Sequence, residues 1–320
     1  MTHQSSHVHY LGIDVAKQQL DLAAVPPIRD LPAQIDNQAN AIKRWLQTLP
    51  AGTRLVCEAT GPYHKALLQT CWQPGITVSL VNPEQVRHFA KSRRRFAKTD
   101  KLDAALLAAF AACEQPHPTP PPDPVRQQLQ ELNTRRSQLV AVRAAELKRQ
   151  QQPTLGKHAT ASLRRSITAL TREINLLETA AAKLIDRSPV LSHQRAVLCQ
   201  VEGVGSQTAT ALLATLPELG TVSGPRLAAL AGLAPYARQS GTLKGRAHIR
   251  GGRVAVRQAL YMAAFSAMRC NPHLQPFAKR LAANGKHYLV VITAVMRKLL
   301  LHLNARLAKH PFVQNVEMKA

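Results

Sequence analysis

Hydrophobic positions change their period twice along the chain, and the changes divide it. An apolar run from Val8 to Ile13 predicts a buried strand, and alternating Leu20, Leu22 and Ala24 predict a second that stops at Pro26 and Pro27. Ile42, Trp45, Leu46 and Leu49 share one face of a helix over residues 40–49. Leu55, Val56 and Cys57 form a short buried strand ending on Glu58, after which Gly61 and Pro62 turn the chain into a helix from Tyr63 to Cys71. A strand from Ile76 to Val81 closes on Asn82 and Pro83, and a basic helix starts at Glu84. Thr99 is set to cap a helix running from Asp100 to Cys113. Strands first, then strand and helix in alternation, predict an α/β unit.

Five prolines between Pro116 and Asp123 mark the first boundary. Beyond it the period is helical: Val125, Leu129, Leu132 and Leu139 begin a stripe, and Leu163, Ile167, Leu170, Ile174, Leu177, Ala181 and Leu184 repeat it in steps of four and three. The expected structure is an antiparallel helical hairpin ended by Pro189, serving as a spacer or as a dimerisation arm. Val201 to Gly205 then lead into an apolar helix from Ser206 to Leu216. This is a helix-hairpin-helix pattern, in which backbone N–H groups beside Gly203 and Gly205 take a phosphate. The same residues also suit a plain tight turn. A helix at residues 225–231 precedes a glycine-rich basic segment from Gly232 to Gly252, and helices resume over Val254 to Met268 and Leu289 to Leu307. The expected organisation is α/β plus all-α: a catalytic domain at 1–115, a proline-rich hinge and helical arm at 116–190, and a C-terminal domain at 191–320.

Charge sharpens this division. Lys and Arg number 42 against 18 Asp and Glu, a net +24, and a chain that is 45% hydrophobic folds rather than trailing as a basic tail. Such a surplus calls for a polyanion, nucleic acid first and a membrane surface second. The apolar stretches Ala104 to Cys113 and Tyr288 to Met296 fall short of the roughly 20 residues a span needs. No membrane association or signal peptide is expected, and five cysteines without a C-x-x-C spacing fit a reducing cytoplasm. From Leu219 onward a single acid, Glu317, faces sixteen Lys and Arg, so the last hundred residues have no carboxylate metal site of their own.

The acids that remain sit where chemistry needs them. Asp14 and Glu58 close two apolar strands, where a lone carboxylate is costly. Asp100 and Asp103, three apart at the start of a helix, project from one face. Each alone also suits a capping or dipole role. Together they would repel one another unless divalent cations fill the space, which is the arrangement that activates a phosphodiester. Seven cations, Arg87, Lys91, Arg93, Arg94, Arg95, Lys98 and Lys101, lead straight into the pair.

At this point the chain resembles a family. Gly12 to Lys17, then Glu58 to Tyr63, then Lys98 to Ala104 are similar to the three acidic motifs of the DEDD transposases of the insertion-sequence-110 family. Val201 to Gly205, Ala231 to Pro235 leading to Ser240 and Gly241, and Arg257 to Tyr261 resemble that family's second domain, in the right order over nearly the whole chain. The resemblance implies a RuvC-like (ribonuclease-H-like) N-terminal domain, a coiled-coil linker and a C-terminal transposase domain with a serine nucleophile. It implies Mg²⁺, or Mn²⁺ in its place, on Asp14, Glu58, Asp100 and Asp103, and Ser240 attacking DNA to give a transient covalent link. Its implied partners are donor and target DNA duplexes, an element-encoded non-coding bridge RNA that supplies sequence choice, and further copies of the chain, a dimer or a tetramer in the synaptic complex.

By residue type alone, Ser240 in a glycine-rich basic loop is first a turn former or a phosphate contact, and Thr242 is a rival hydroxyl. No acid near it in sequence serves as base, so the expected activation comes from the N-terminal cluster. Arg238, Lys244, Arg246, Arg250 and Arg253 are expected against phosphate. Two other readings stay open: a RuvC-like nuclease or Holliday-junction resolvase with water as nucleophile, and a non-catalytic RNA-binding protein.

Overall fold

The first strand, β1 (Tyr10–Val15), runs two residues past the apolar stretch, so Asp14 lies inside it. Antiparallel pairing with β2 (Gln19–Val25) keeps the backbone extended there, through Asp14 opposite Asp21 and Val15 opposite Leu20. The computed structural model describes residues 8–59, 61–93, 100–236, 239–240, 243–244 and 247–312, apart from the side chains of 100–102, 239–240 and 243–244. It divides into two units, Met1–Pro122 and Asp123–Ala320.

The first unit is a five-stranded mixed sheet with helices on both faces. β3 (Gln34–Asp36), β4 (Arg54–Glu58) and β5 (Val78–Val81) complete the order β3-β2-β1-β4-β5, antiparallel across β3, β2 and β1 and parallel across β1, β4 and β5. One face sends Leu11, Ile13, Val15, Leu20, Leu55 and Cys57 into a core with Ile42, Trp45 and Leu46 of α1 (Ala39–Leu46) and Leu67, Leu68 and Cys71 of α2 (His64–Trp72). On the other face Val56 and Val81 meet α3 (Pro83–Ser92) and α4 (Asp100–Glu114) through Val86, Leu107, Phe110 and Ala111. Asn82 caps α3 by accepting from the Glu84 N–H. Gly12 lies on this second face. A Cβ there would sit 2.2 Å from the Ala104 carbonyl oxygen and 2.4 Å from the Ala108 nitrogen, so α4 rests directly on the β1 backbone.

Part of the proline-rich stretch is tied to the sheet. The Thr119 N–H donates to the Val78 carbonyl, its hydroxyl accepts from the Leu80 N–H, its carbonyl accepts from Trp72, and Ser79 donates to the Pro116 carbonyl. The segment thereby covers the β5 edge with chain that offers few N–H groups of its own.

The second unit is helical. α5 (Pro124–Gln150) and α6 (Lys157–Asp186) pack as an antiparallel pair, with Arg136 on Glu178 at 2.6 Å. Leu129, Ala181 and Ile185 join the core of a bundle formed with α7 (Pro189–Cys199), α8 (Ser206–Thr215), α9 (Gly224–Leu230), α10 (Val254–Cys270), α11 (Leu274–Ala283) and α12 (Tyr288–Lys309). Between Leu139 and Ile174 no residue is buried, and Val142 and Leu147 are exposed. α12, at 22 residues, is long and apolar enough to cross a membrane by length and composition, more than its apolar run alone indicates. Its Ile292, Val295, Leu299, Leu300 and Leu303 are instead buried in the bundle core.

Replacing Gly12 by Ala forces α4 off the sheet, and overpacking of this kind costs about 1–3 kcal/mol. Urea unfolding of the full chain should show that loss, whereas Gly52→Ala, where no atom lies within 4 Å but φ is +80°, should cost only about 1 kcal/mol.

Candidate active site

Strand register brings the first two acids side by side. β1 and β4 pair in parallel with Gly12 opposite Val56 and Ile13 opposite Cys57, so Asp14 and Glu58 stand one residue further along each strand. Alternation puts both on the face that carries Gly12 and Val56, which is the α4 face. Asp103 directly precedes Ala104, whose carbonyl rests on Gly12, and it is half-buried. Asp100 is the first residue of α4, one turn before Ala104. The side chain of Asp100 lies outside the described residues. Among the described residues no three of His, Cys, Asp and Glu gather closely enough to hold a metal ion. The side chains of Asp14, Glu58 and Asp103 carry only oxygen donors, the kind that Mg²⁺ takes.

A carboxylate that the sequence pattern did not single out belongs to the same neighbourhood. Asp21 is the cross-strand partner of Asp14 and shares its face. It is only 5% exposed, and Gln34 donates to its Oδ1 at 2.6 Å. An acid placed in an alternating strand at a buried position was the available signal. Cys57 is the residue before Glu58, and burial, reinforced by Cys71 and by the Glu58 charge, pushes its thiol up to about 12. It remains a neutral packing group rather than a rival nucleophile.

Of the basic stretch before α4, Arg87, Lys91 and Arg93 are exposed, with the Arg93 guanidinium over the Phe89 ring at 5.3 Å. Arg94, Arg95, Lys98 and Thr99 lie outside the described residues.

In the second unit Gly203 and Gly205 separate in role. Gly203 has φ +96°, and a Cβ would meet Ala267 of α10 at 2.7 Å, so turn and packing demand it. Gly205 caps α8 with extended backbone and no side-chain cap, and a Cβ would meet nothing within 4 Å.

Ser240 lies in one of two short strand pairs. β6 (Pro235–Tyr236) pairs with β9 (His248–Ile249), and β7 (Gln239–Ser240) pairs with β8 (Leu243–Lys244), all antiparallel. Ser240 pairs with Leu243, which leaves two residues to connect them, so the serine stands at the tip of a hairpin. Its side chain and that of Lys244 are outside the described residues, as are Arg238, Thr242 and Arg246. Arg250 is exposed. Arg253, expected against phosphate, is engaged inside the unit: Nη1 and Nη2 each lie 2.7 Å from the Glu218 carboxylate, and Nη1 also donates to the Thr215 carbonyl.

Comparison with known proteins finds two family matches along the chain, the first running past the boundary between the two units. Residues 11–158 match a family described as "Transposase", of the DEDD IS110 type, and residues 195–279 match "Transposase IS116/IS110/IS902 family". The class is therefore that of DNA transposases and recombinases, and the protein is an enzyme. A pilin gene-inverting protein of Moraxella bovis is 31% identical over 305 residues, covering 91% of this chain and 93% of that one. Its counterpart from Moraxella lacunata is 30% identical over the same shares. An uncharacterized 43.6 kDa protein of insertion element IS110 from Streptomyces coelicolor is 31% identical over 157 residues, 48% of this chain and 38% of that one. The chain belongs to the IS116/IS110/IS902 family of transposases.

The Glu218–Arg253 pair carries a pH signature. Burial pushes the Glu218 carboxyl up, but the Arg253 hydrogen bonds and charge, a backbone N–H and Arg226 together hold it below 4.5. A depressed carboxyl contributes stability that is present above pH 4.5 and lost as pH falls through its folded value. Glu218→Gln should therefore lose about 1 kcal/mol at pH 7 in denaturant titrations and match the wild type well below pH 4.

Proposed function

We propose that this transposase cuts and rejoins donor and target DNA, with Asp14, Glu58, Asp100 and Asp103 holding Mg²⁺ or Mn²⁺ and Ser240 supplying the attacking oxygen. The observation that carries the reading is the parallel register of β1 and β4, which aligns Asp14 with Glu58 on the face where α4 begins with Asp100 and Asp103. The strand order β3-β2-β1-β4-β5 is that of a ribonuclease-H-like, RuvC-type sheet, and supports the same reading. A divalent ion held there supplies charge neutralisation at the phosphodiester.

The chain's own residues do the rest. Ser240 Oγ gives up its proton and adds to phosphorus, the bond from phosphorus to the departing strand's oxygen breaks, and that oxygen takes up a proton in exchange. The DNA end is then held as a phosphoserine ester. Attack by a hydroxyl of the new strand reverses these events and frees the serine, so bond energy is conserved without an external energy source. Arg87, Lys91 and Arg93, with the open α8 N-terminus at Gly205, offer sequence-independent holds on phosphate. Sequence choice is assigned to a bridge RNA pairing with both duplexes, in keeping with a chain that is 4% aromatic and strongly basic. The relatives named for inverting a pilin gene favour recombination between two sites, with a dimer or tetramer bringing them together.

In purified complexes, Ser240→Ala should abolish the covalent protein–DNA product on denaturing gels while Thr242→Ala keeps it. Asp14→Asn and Asp103→Asn should each slow strand cleavage by more than ~100-fold. Cleavage that survives Ser240→Ala would assign attack to water. Sequencing the co-purifying RNA tests the guide: its loops should match the joined DNA ends.

A further inference from the structure

A two-stranded ribbon is marginal by itself, so the direction of the Ser240 hairpin must be set at its base. That base is unusually tight. Gly232, Gly251 and Gly252 all have φ between +67° and +68°. A Cβ on Gly232 would lie 2.1 Å from the Gly251 carbonyl oxygen and 2.3 Å from Arg257 Nη1, and one on Gly252 would lie 2.0 Å from the Gly232 nitrogen. The outgoing and returning strands of chain therefore touch backbone to backbone.

One side chain ties them together. Arg257 Nη1 donates to the Gly251 carbonyl at 2.6 Å and to the Ala231 carbonyl at 3.3 Å, one acceptor on each foot. Arg257 sits on the first turn of α10, a helix fixed by burial of Val256, Leu260, Ala263, Ala264 and Ala267. One turn earlier, the Arg253 N–H donates to the Leu230 carbonyl at 2.9 Å, and its side chain holds Glu218. The feet are thus referenced to a buried helix through two arginines.

We propose that Arg257 is a positioning residue for Ser240, setting the pitch of the hairpin by clamping both of its feet to α10. This rests on the reading of Ser240 as the attacking residue. Ser240 is five residues beyond Pro235 in sequence, so its place depends on how the feet are held. A shift of the feet is passed on to the serine, and a misplacement of ~1 Å can cost about 100-fold in rate. Removing the clamp is therefore a defect in the attacking step and not in DNA affinity.

The test uses full-length protein with its co-purified RNA and a plasmid carrying the DNA that flanks its gene. Arg257→Met keeps the stem and removes the donors. Its covalent adduct should form at least about 10-fold more slowly at saturating DNA, with half-saturation by DNA and the thermal melting of helical signal unchanged. Arg257→Lys should recover part of the rate. Limited trypsin digestion reads the clamp without any chemistry: cuts at the hairpin cations between Arg238 and Arg250 should come faster in Arg257→Met. Unchanged digestion would overturn the clamp, and faster digestion with a wild-type adduct rate would overturn its role in positioning. If wild-type protein forms no Ser240-dependent adduct, the serine reading fails, while digestion still decides whether Arg257 holds the feet. Should Arg257→Met not fold, the Lys variant carries both comparisons, with intermediate rates expected and wild-type rates overturning the proposal.

Discussion

The contact of α4 with the β1 backbone at Gly12 is the constraint on which the N-terminal unit depends. Helices ordinarily stand off a sheet by the thickness of two side-chain layers, but here the Ala104 carbonyl and Ala108 nitrogen occupy the space of the missing Cβ. Asp14 is two residues from Gly12 on the same face, and Asp103 is the residue before Ala104. A bulkier residue at position 12 would separate strand from helix, and with them two of the carboxylates proposed to act together. Small residues on α4, notably Ala104, Ala108 and Ala111, make the same approach possible from the helix side.

The C-terminal unit uses the same device for a different purpose. At the hairpin feet, glycines in the left-handed region bring two chain segments into backbone contact, and Arg257 of α10 donates to the Gly251 and Ala231 carbonyls there. In both units, positions without a side chain set the backbone next to a residue proposed to act chemically.

Long apolar periods made most of the architecture readable in the sequence. β2, α1, α2 and the α5–α6 pair follow their stripes closely, and the parallel register then brings together two of the acids that strand ends had singled out. What was not legible depended on pairing across the fold. β3 has three residues and one apolar position, too few to show a period. Asp21 looks like any strand acid until its partner across the ribbon is known to be Asp14. The proline-rich stretch reads as a linker because its anchors, Trp72, Ser79 and Leu80, are about forty residues away. Arg253 reads with its basic neighbours in the sequence, and its pairing with Glu218, 35 residues earlier, is visible only in three dimensions.

The α5–α6 arm is anchored at one end and open along the other. Leu129, Ala181 and Ile185 belong to the bundle core, whereas Leu163, Ile167 and Leu170 are only half-buried and Val142 and Leu147 face solvent. Free energy of local opening follows buried apolar contact. The arm therefore carries a gradient of stability along its length, highest at its root and falling toward the loop at residues 151–156. Local opening is therefore expected to start at the loop end and leave the root in register.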